Sequence, residues 1–176
     1  MSIKKIDKKK VESYLLYVFL LLPVILFIVT PAFPSNHFHF VLNDFMDKYM
    51  LGNGYYLATD YPFTAKVSNN FTVAFAVVSG IFIGVWRRNE VEREIPPSMW
   101  WYGLVLLGIG WATFSLSLNP QEFVEPTSRR SFGTSESFHN NPAMFIGMII
   151  MKEVCIYGGL RGPITLLFYI ISRIKK

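Results

Sequence analysis

The chain is poor in the residues that soluble catalysis draws on. Its 176 residues include one cysteine, Cys155, and three histidines. A lone cysteine excludes an intramolecular disulfide and a cysteine-based metal cluster. His37 and His39 sit together, but zinc needs three or four ligands, and their neighbours Phe38 and Phe40 make them packing or interface residues. No Ser/His/Asp set, phosphate-cradling glycine loop or acid pair within an apolar segment occurs. Catalysis therefore has no support, and no catalytic, cofactor-binding or metal residue is assigned. Repeats and low-complexity tracts are also missing. So is charge over long stretches: 14–30, 67–86 and 98–118 contain no Asp, Glu, Lys, Arg or His.

What is present is apolar and arranged in blocks. Hydrophobic residues make up 52% of the chain and aromatics 16%. A soluble domain would scatter them at helix or strand period. A bilayer core instead requires about 20 mainly apolar residues per helix. Segments 67–86 and 98–118 meet this length, joined by the charged turn Arg87–Pro97. That turn is too short for a soluble domain, so the two are expected as antiparallel neighbours. With 14–30 and 142–160 they predict an all-α polytopic membrane protein. It has four transmembrane helices in a single integral membrane domain, 1–176, with loops at 31–66 and 119–141.

The first apolar run follows a basic tail and is long. The bulky Pro31-Ala32-Phe33-Pro34 follows it instead of a small-residue cleavage site, so it reads as a retained helix with a kink near Pro23. Loop 31–66 is too polar to span. Within it His39–Met50 places Phe40, Val41, Phe45, Met46 and Tyr49 at helical spacing, which predicts a short amphipathic helix on the membrane surface. Asn70-Phe71-Thr72 matches a glycosylation sequon at the membrane edge and reads as fortuitous. The last region, 142–171, is about 45 Å of helix, too long for one upright span. A crossing to about Leu160 is expected, with a break near Gly162-Pro163.

The net charge of +5 does not point to nucleic acid, because the basic residues flank the apolar segments. Such residues set topology and touch anionic headgroups. The tail, the 87–97 turn and the C-terminal end hold eleven Lys and Arg, and the two other loops hold four. Both termini are therefore expected in the cytoplasm and both longer loops outside, with membrane lipid as one partner.

Two features carry candidate partner contacts. Ala76, Gly80 and Gly84 form a small-residue face that lets another helix approach closely in lipid. Gly108 and Ala112 offer a matching face in the next segment, so internal packing of the hairpin is the favoured use, and docking of a foreign helix the other. Lys152 and Glu153 fall near the bilayer midplane, where charge is costly. They form either an internal ion pair, helped by Ser79 or Ser115, or a polar contact for a partner helix or an ion path. Without further acids or histidines in the other segments, a transporter is not favoured.

The segments 7–29 (DKKKVESYLLYVFLLLPVILFIV), 61–67 (YPFTAKV) and 163–176 (PITLLFYIISRIKK), in a four-span layout with cytoplasmic termini, resemble the immunity proteins against pore-forming colicins of the colicin A and B type. The resemblance implies an inner-membrane protein that binds the pore-forming domain of a bacteriocin before the pore opens. The residues it singles out are Gly80, Gly84, Lys152, Glu153, Asp60 and Tyr61. Two other readings fit the layout: an entry-exclusion protein of a conjugative plasmid, engaging a transfer-machinery subunit, and a small structural subunit of a secretion or envelope complex.

Overall fold

A computed structural model of the chain describes residues 7–88, 94–124 and 133–174. The described chain is helical: α1 (Lys8–Val29), α2 (His37–Tyr49), α3 (Pro62–Trp86), α4 (Trp101–Leu118), α5 (Glu136–His139) and α6 (Pro142–Ile174). Four of these helices are long and apolar enough to cross a membrane: α1, α3, α4 with its preceding turn from Pro97, and α6.

Local chemistry sets the helix ends. Asp7 caps α1, its carboxylate accepting from the amides of Lys9 and Lys10. The helix stops at Thr30, whose extended backbone is what a following proline demands. Asn36 caps α2 through the amide of His39, and Gly52, at φ +54, turns the chain after it. Pro62 and Pro142 each occupy a first helical position, where the missing N–H costs nothing.

The bundle is built on α3 and α6, which run parallel. Along the pair, Tyr61 meets His139, Asn69 meets Lys152, and Gly84 meets Ile164. α1 lies antiparallel in the groove between them: Phe19 packs on Phe75 and Tyr157, and Phe27 on Tyr61 and Phe145. α4 packs antiparallel on α6 and barely touches α3. The share of the apolar stretch that is buried is 61% in α3 against 11% in α1 and 17% in α4. α3 is therefore the core helix, and α1 and α4 flank it.

Two expectations are corrected here. α3 and α4 are consecutive but are not packing neighbours, because α6 takes the place between them. Gly110 of α4 lies directly against Gly159 of α6, while a Cβ on Gly108 would meet no described atom within 4 Å. Secondly, α6 does not break at Gly162-Pro163. It continues for 33 residues, about 50 Å, with Pro163 inside it. Proline withdraws one internal hydrogen bond, that of the Gly159 carbonyl. Packing contacts continue on both sides of Pro163, with α1 at Phe145 and Tyr157, α3 at Ile164 and α4 at Leu166.

The loop chain closes one end of the bundle, here called the capped end. Met46 of α2 packs with Phe63 and Val67 of α3. The buried ammonium of Lys66 pairs with Asp47 at 2.6 Å and donates to Asn43 Oδ1. Asn70, fully buried, accepts from the Leu51 amide and donates to the Gly52 carbonyl, so the sequon asparagine is a structural clamp. The opposite end carries Lys8, Lys9, Lys10, Arg87 and Arg88, and is here the basic end.

Candidate functional site

The polar interior of the bundle centres on Lys152, buried just below the cap. Its ammonium donates to Asn69 Oδ1 and lies 3.8 Å from the centre of the Tyr55 ring. A cation over a ring out of water is worth about 2 kcal/mol. Asn69 in turn donates to the Gly54 carbonyl at 3.1 Å. Lys152 therefore ties α6 and α3 to the loop of the cap.

The expected helpers Ser79 and Ser115 are not its partners; Ser79 returns its hydroxyl to the Phe75 carbonyl. Nor is Glu153 paired with it. The Glu153 carboxylate is fully buried and accepts no hydrogen bond from any described residue. The two charges lie side by side in sequence and on different faces of the helix. Both are sealed inside the bundle, away from any surface a partner would reach.

Above Lys152 the cap is organised around His139, which the sequence reading did not single out. Its ring is fully buried, stacked 4.2 Å from Tyr56 and near Tyr55 and Phe123. Its Nε2 lies 2.9 Å from the Gly133 carbonyl, which requires the proton on that nitrogen. Nδ1 is buried with no hydrogen-bond partner among the described residues. Burial lowers the His139 pKa below its ordinary value, the Gly133 carbonyl works against that, and the Lys152 charge adds to it. The ring is neutral at pH 7.

Tyr61, also buried, donates its hydroxyl to the His139 carbonyl. Burial pushes its pKa to about 12, so it stays protonated as a donor. Asp60 beside it is exposed. The pair Asp60–Tyr61 thus separates into a surface carboxylate and an internal strut. Thr59 and Asn140 join the same corner: the Thr59 amide donates to Asn140 Oδ1 at 2.9 Å and its hydroxyl to Glu136 at 2.5 Å.

The basic end holds a second constellation that the sequence reading passed over as tail. Glu12 of α1 is reached by Arg87 from the end of α3, by Arg161 of α6 at 2.9 Å, and by the Tyr157 hydroxyl at 2.7 Å. Three groups, from the end of α3 and from α6, meet on this one carboxylate of α1. Two arginines converge on the one carboxylate.

Gly80 and Gly84 are buried against α6. A Cβ on Gly80 would lie 3.1 Å from Leu160 Cβ and from the Tyr157 carbonyl, and one on Gly84 3.0 Å from Ile164. The small-residue face is thus filled from within, by α6 and not by α4.

The packing leaves a cleft instead between α3 and α4. It has a volume of about 150 Å³, is floored by Ile156, Gly159 and Leu160 of α6, and is walled by Val77, Leu107, Trp111 and Phe114. Trp111 stands 66% exposed at its edge. The cleft is almost wholly apolar. His39, one of the two histidines of the His37–His39 candidate pair, accepts from the Ser35 amide at 3.2 Å and packs against Phe63. Among the described residues no three of His, Cys, Asp or Glu converge.

Comparison with protein-family models, with curated proteins and with solved structures found no match to this chain.

Proposed function

We propose that the chain is a bacterial inner-membrane immunity protein, which protects the producing cell by binding the membrane-inserted pore-forming domain of a cognate bacteriocin. The observation that carries the reading is the α3–α4 cleft. Two successive apolar helices stand apart, and the gap between them is floored by Ile156, Gly159 and Leu160 of α6 and edged by an exposed tryptophan. In lipid, helix association depends on van der Waals packing of shaped surfaces. Such a cleft offers an apolar toxin helix a surface that plain lipid contact does not. The resemblance of segments 7–29, 61–67 and 163–176 to the colicin A and B immunity group supports the same reading.

The orientation belongs to this proposal. The basic end lies in the cytoplasm, by the excess of Lys and Arg there, and the cap faces outward, where a toxin arrives. Exposed Asp60 is then available to a partner. The buried Tyr61, Gly80, Gly84, Lys152 and Glu153 act by holding the bundle's shape.

The test is survival of sensitive cells expressing the chain, challenged with a panel of pore-forming bacteriocins, with plasmid mating into the same cells in parallel. Protection from one toxin with mating unaffected is expected. Trp111→Ala should lower protection at unchanged protein level. Reduced mating without protection would replace immunity by entry exclusion. No effect in either assay would leave a structural subunit, which should then be unstable without its neighbours.

A further inference from the structure

A second groove lies on the outer side of α3 at the basic end. Val78, Ile81, Phe82 and Val85 recur every three or four residues along that side, so they line one stripe of the helix. All four are exposed, because α6 covers the Gly80–Gly84 side. The stripe ends at Trp86, Arg88 and, from α1, Lys8, and together these residues line a hollow of about 730 Å³. That lies within the range of small-molecule sites, about 300–1,000 Å³.

The polar rim is built, not merely basic. Lys8 Nζ donates to the Trp86 carbonyl at 2.9 Å and sits over the indole ring, which fixes the ammonium at the mouth. Arg88 is exposed, with its guanidinium 5.6 Å from the Phe168 ring. From Val78 to Trp86 the stripe is about 12 Å long. Half of a bilayer core is about 15 Å. The groove thus matches one leaflet in depth: apolar for the length of an acyl chain, aromatic at the interface, and doubly cationic where the headgroup lies.

We propose that this groove binds an anionic phospholipid of the leaflet at the basic end. Its phosphate sits between Lys8 and Arg88, and one acyl chain lies along Val78, Ile81, Phe82 and Val85. The inference rests on the membrane placement proposed above and not on the immunity role. Charge complementarity selects the lipid class. Apolar wall alone would accept any acyl chain, while two cations at phosphate height discriminate against zwitterionic headgroups. With phosphatidylglycerol bound, the lipid joins the start of α1 to the end of α3 beside the Glu12–Arg87 contact.

The experiment is native mass spectrometry of the full chain released from nanodiscs of equal parts phosphatidylglycerol and phosphatidylcholine. Three variants are compared: K8Q/R88Q, the charge-matched control K10Q/R173Q, and V78W, which fills the groove without changing charge. The wild type should retain one phosphatidylglycerol in preference to phosphatidylcholine. K8Q/R88Q should retain it roughly 30-fold more weakly, about the contribution of two interfacial cations. V78W should lose it too, and the control should not.

Equal retention of the two lipids, or equal loss in the control, would overturn the site and leave only general surface charge. Alkaline carbonate extraction of the cell membranes separates the two levels of the argument. A chain that washes off would sink both the membrane placement and the lipid site, whereas a chain that stays but shows no lipid preference sinks the site alone.

Discussion

At the residue scale the cap depends on a few positions that admit little change. A Cβ on Gly54 would lie 1.7 Å from the Ser117 carbonyl oxygen. Gly54→Ala must therefore push the loop off the end of α4, and a loss of about 3 kcal/mol is expected, the scale of severe overpacking; a thermal melt in detergent reads it. His139 makes the cap pH-sensitive. Its pKa in the folded chain is lowered, chiefly by burial, so folding favours the neutral ring. The sign follows from this. The contribution is fully present above the ordinary histidine value near 6.5 and is lost as pH falls through the lowered one. The melting temperature should drop between pH 8 and pH 5, and His139→Gln should remove most of that drop. An equal drop in the variant would assign it to other groups.

The two interior charges are also unequal. Lys152 has a hydrogen bond and a ring, so Lys152→Ala should cost about 1–3 kcal/mol, because it leaves the buried Asn69 Oδ1 without its donor. Glu153 has no described hydrogen-bond partner, so Glu153→Gln should be neutral or stabilising.

At the scale of elements the contacts are specific to helix pairs. Gly103, Gly110 and Ser117 are buried at seven-residue intervals on one side of α4; Gly103 and Gly110 rest on α6, and Ser117 meets Gly54 of the cap loop. Gly110→Leu should detach α4, which an engineered cross-link between α4 and α6 would report as lost. Gly108→Leu, two residues away, should leave it in place, since a Cβ there meets nothing.

α1 depends on Glu12 in the same way. With Arg87, Arg161 and Tyr157 gathered on one carboxylate, Glu12→Ala removes the group that joins α1 to the end of α3 and to α6. About 3 kcal/mol of destabilisation is expected, together with easier protease cleavage near residue 12. The sequence pointed to the helices themselves, because runs of uncharged apolar residues need no partner to be recognised. It did not point to Glu12, which reads as one more charge in a basic tail. Its meaning comes from side chains that are 75, 145 and 149 positions away.

At the scale of the whole molecule the proposed topology has its own test. Reporter fusions at Arg88 should report cytoplasm, and those at Asp47 and Thr134 the outside. The reverse pattern would overturn the orientation while leaving the bundle intact.

The sequence by itself determined that the described chain is helical and that four helices are long and apolar enough to cross a membrane. It also located the amphipathic α2, because hydrophobic block length and helical period are local properties. Which helices touch was decided by the tertiary structure alone. Gly80 and Gly84 are legible as a close-packing face, but nothing local says whether α4 or α6 fills it. The adjacency of Lys152 and Glu153 suggests a pair, yet neighbouring helix positions point about 100° apart. The fold gives Lys152 partners from α3 and the cap and gives Glu153 no hydrogen bond from the described residues. His139 follows the same rule. Its place in the sequence is an ordinary polar loop, and only the closure of loop 51–61 over α6 turns it into the buried centre of the cap.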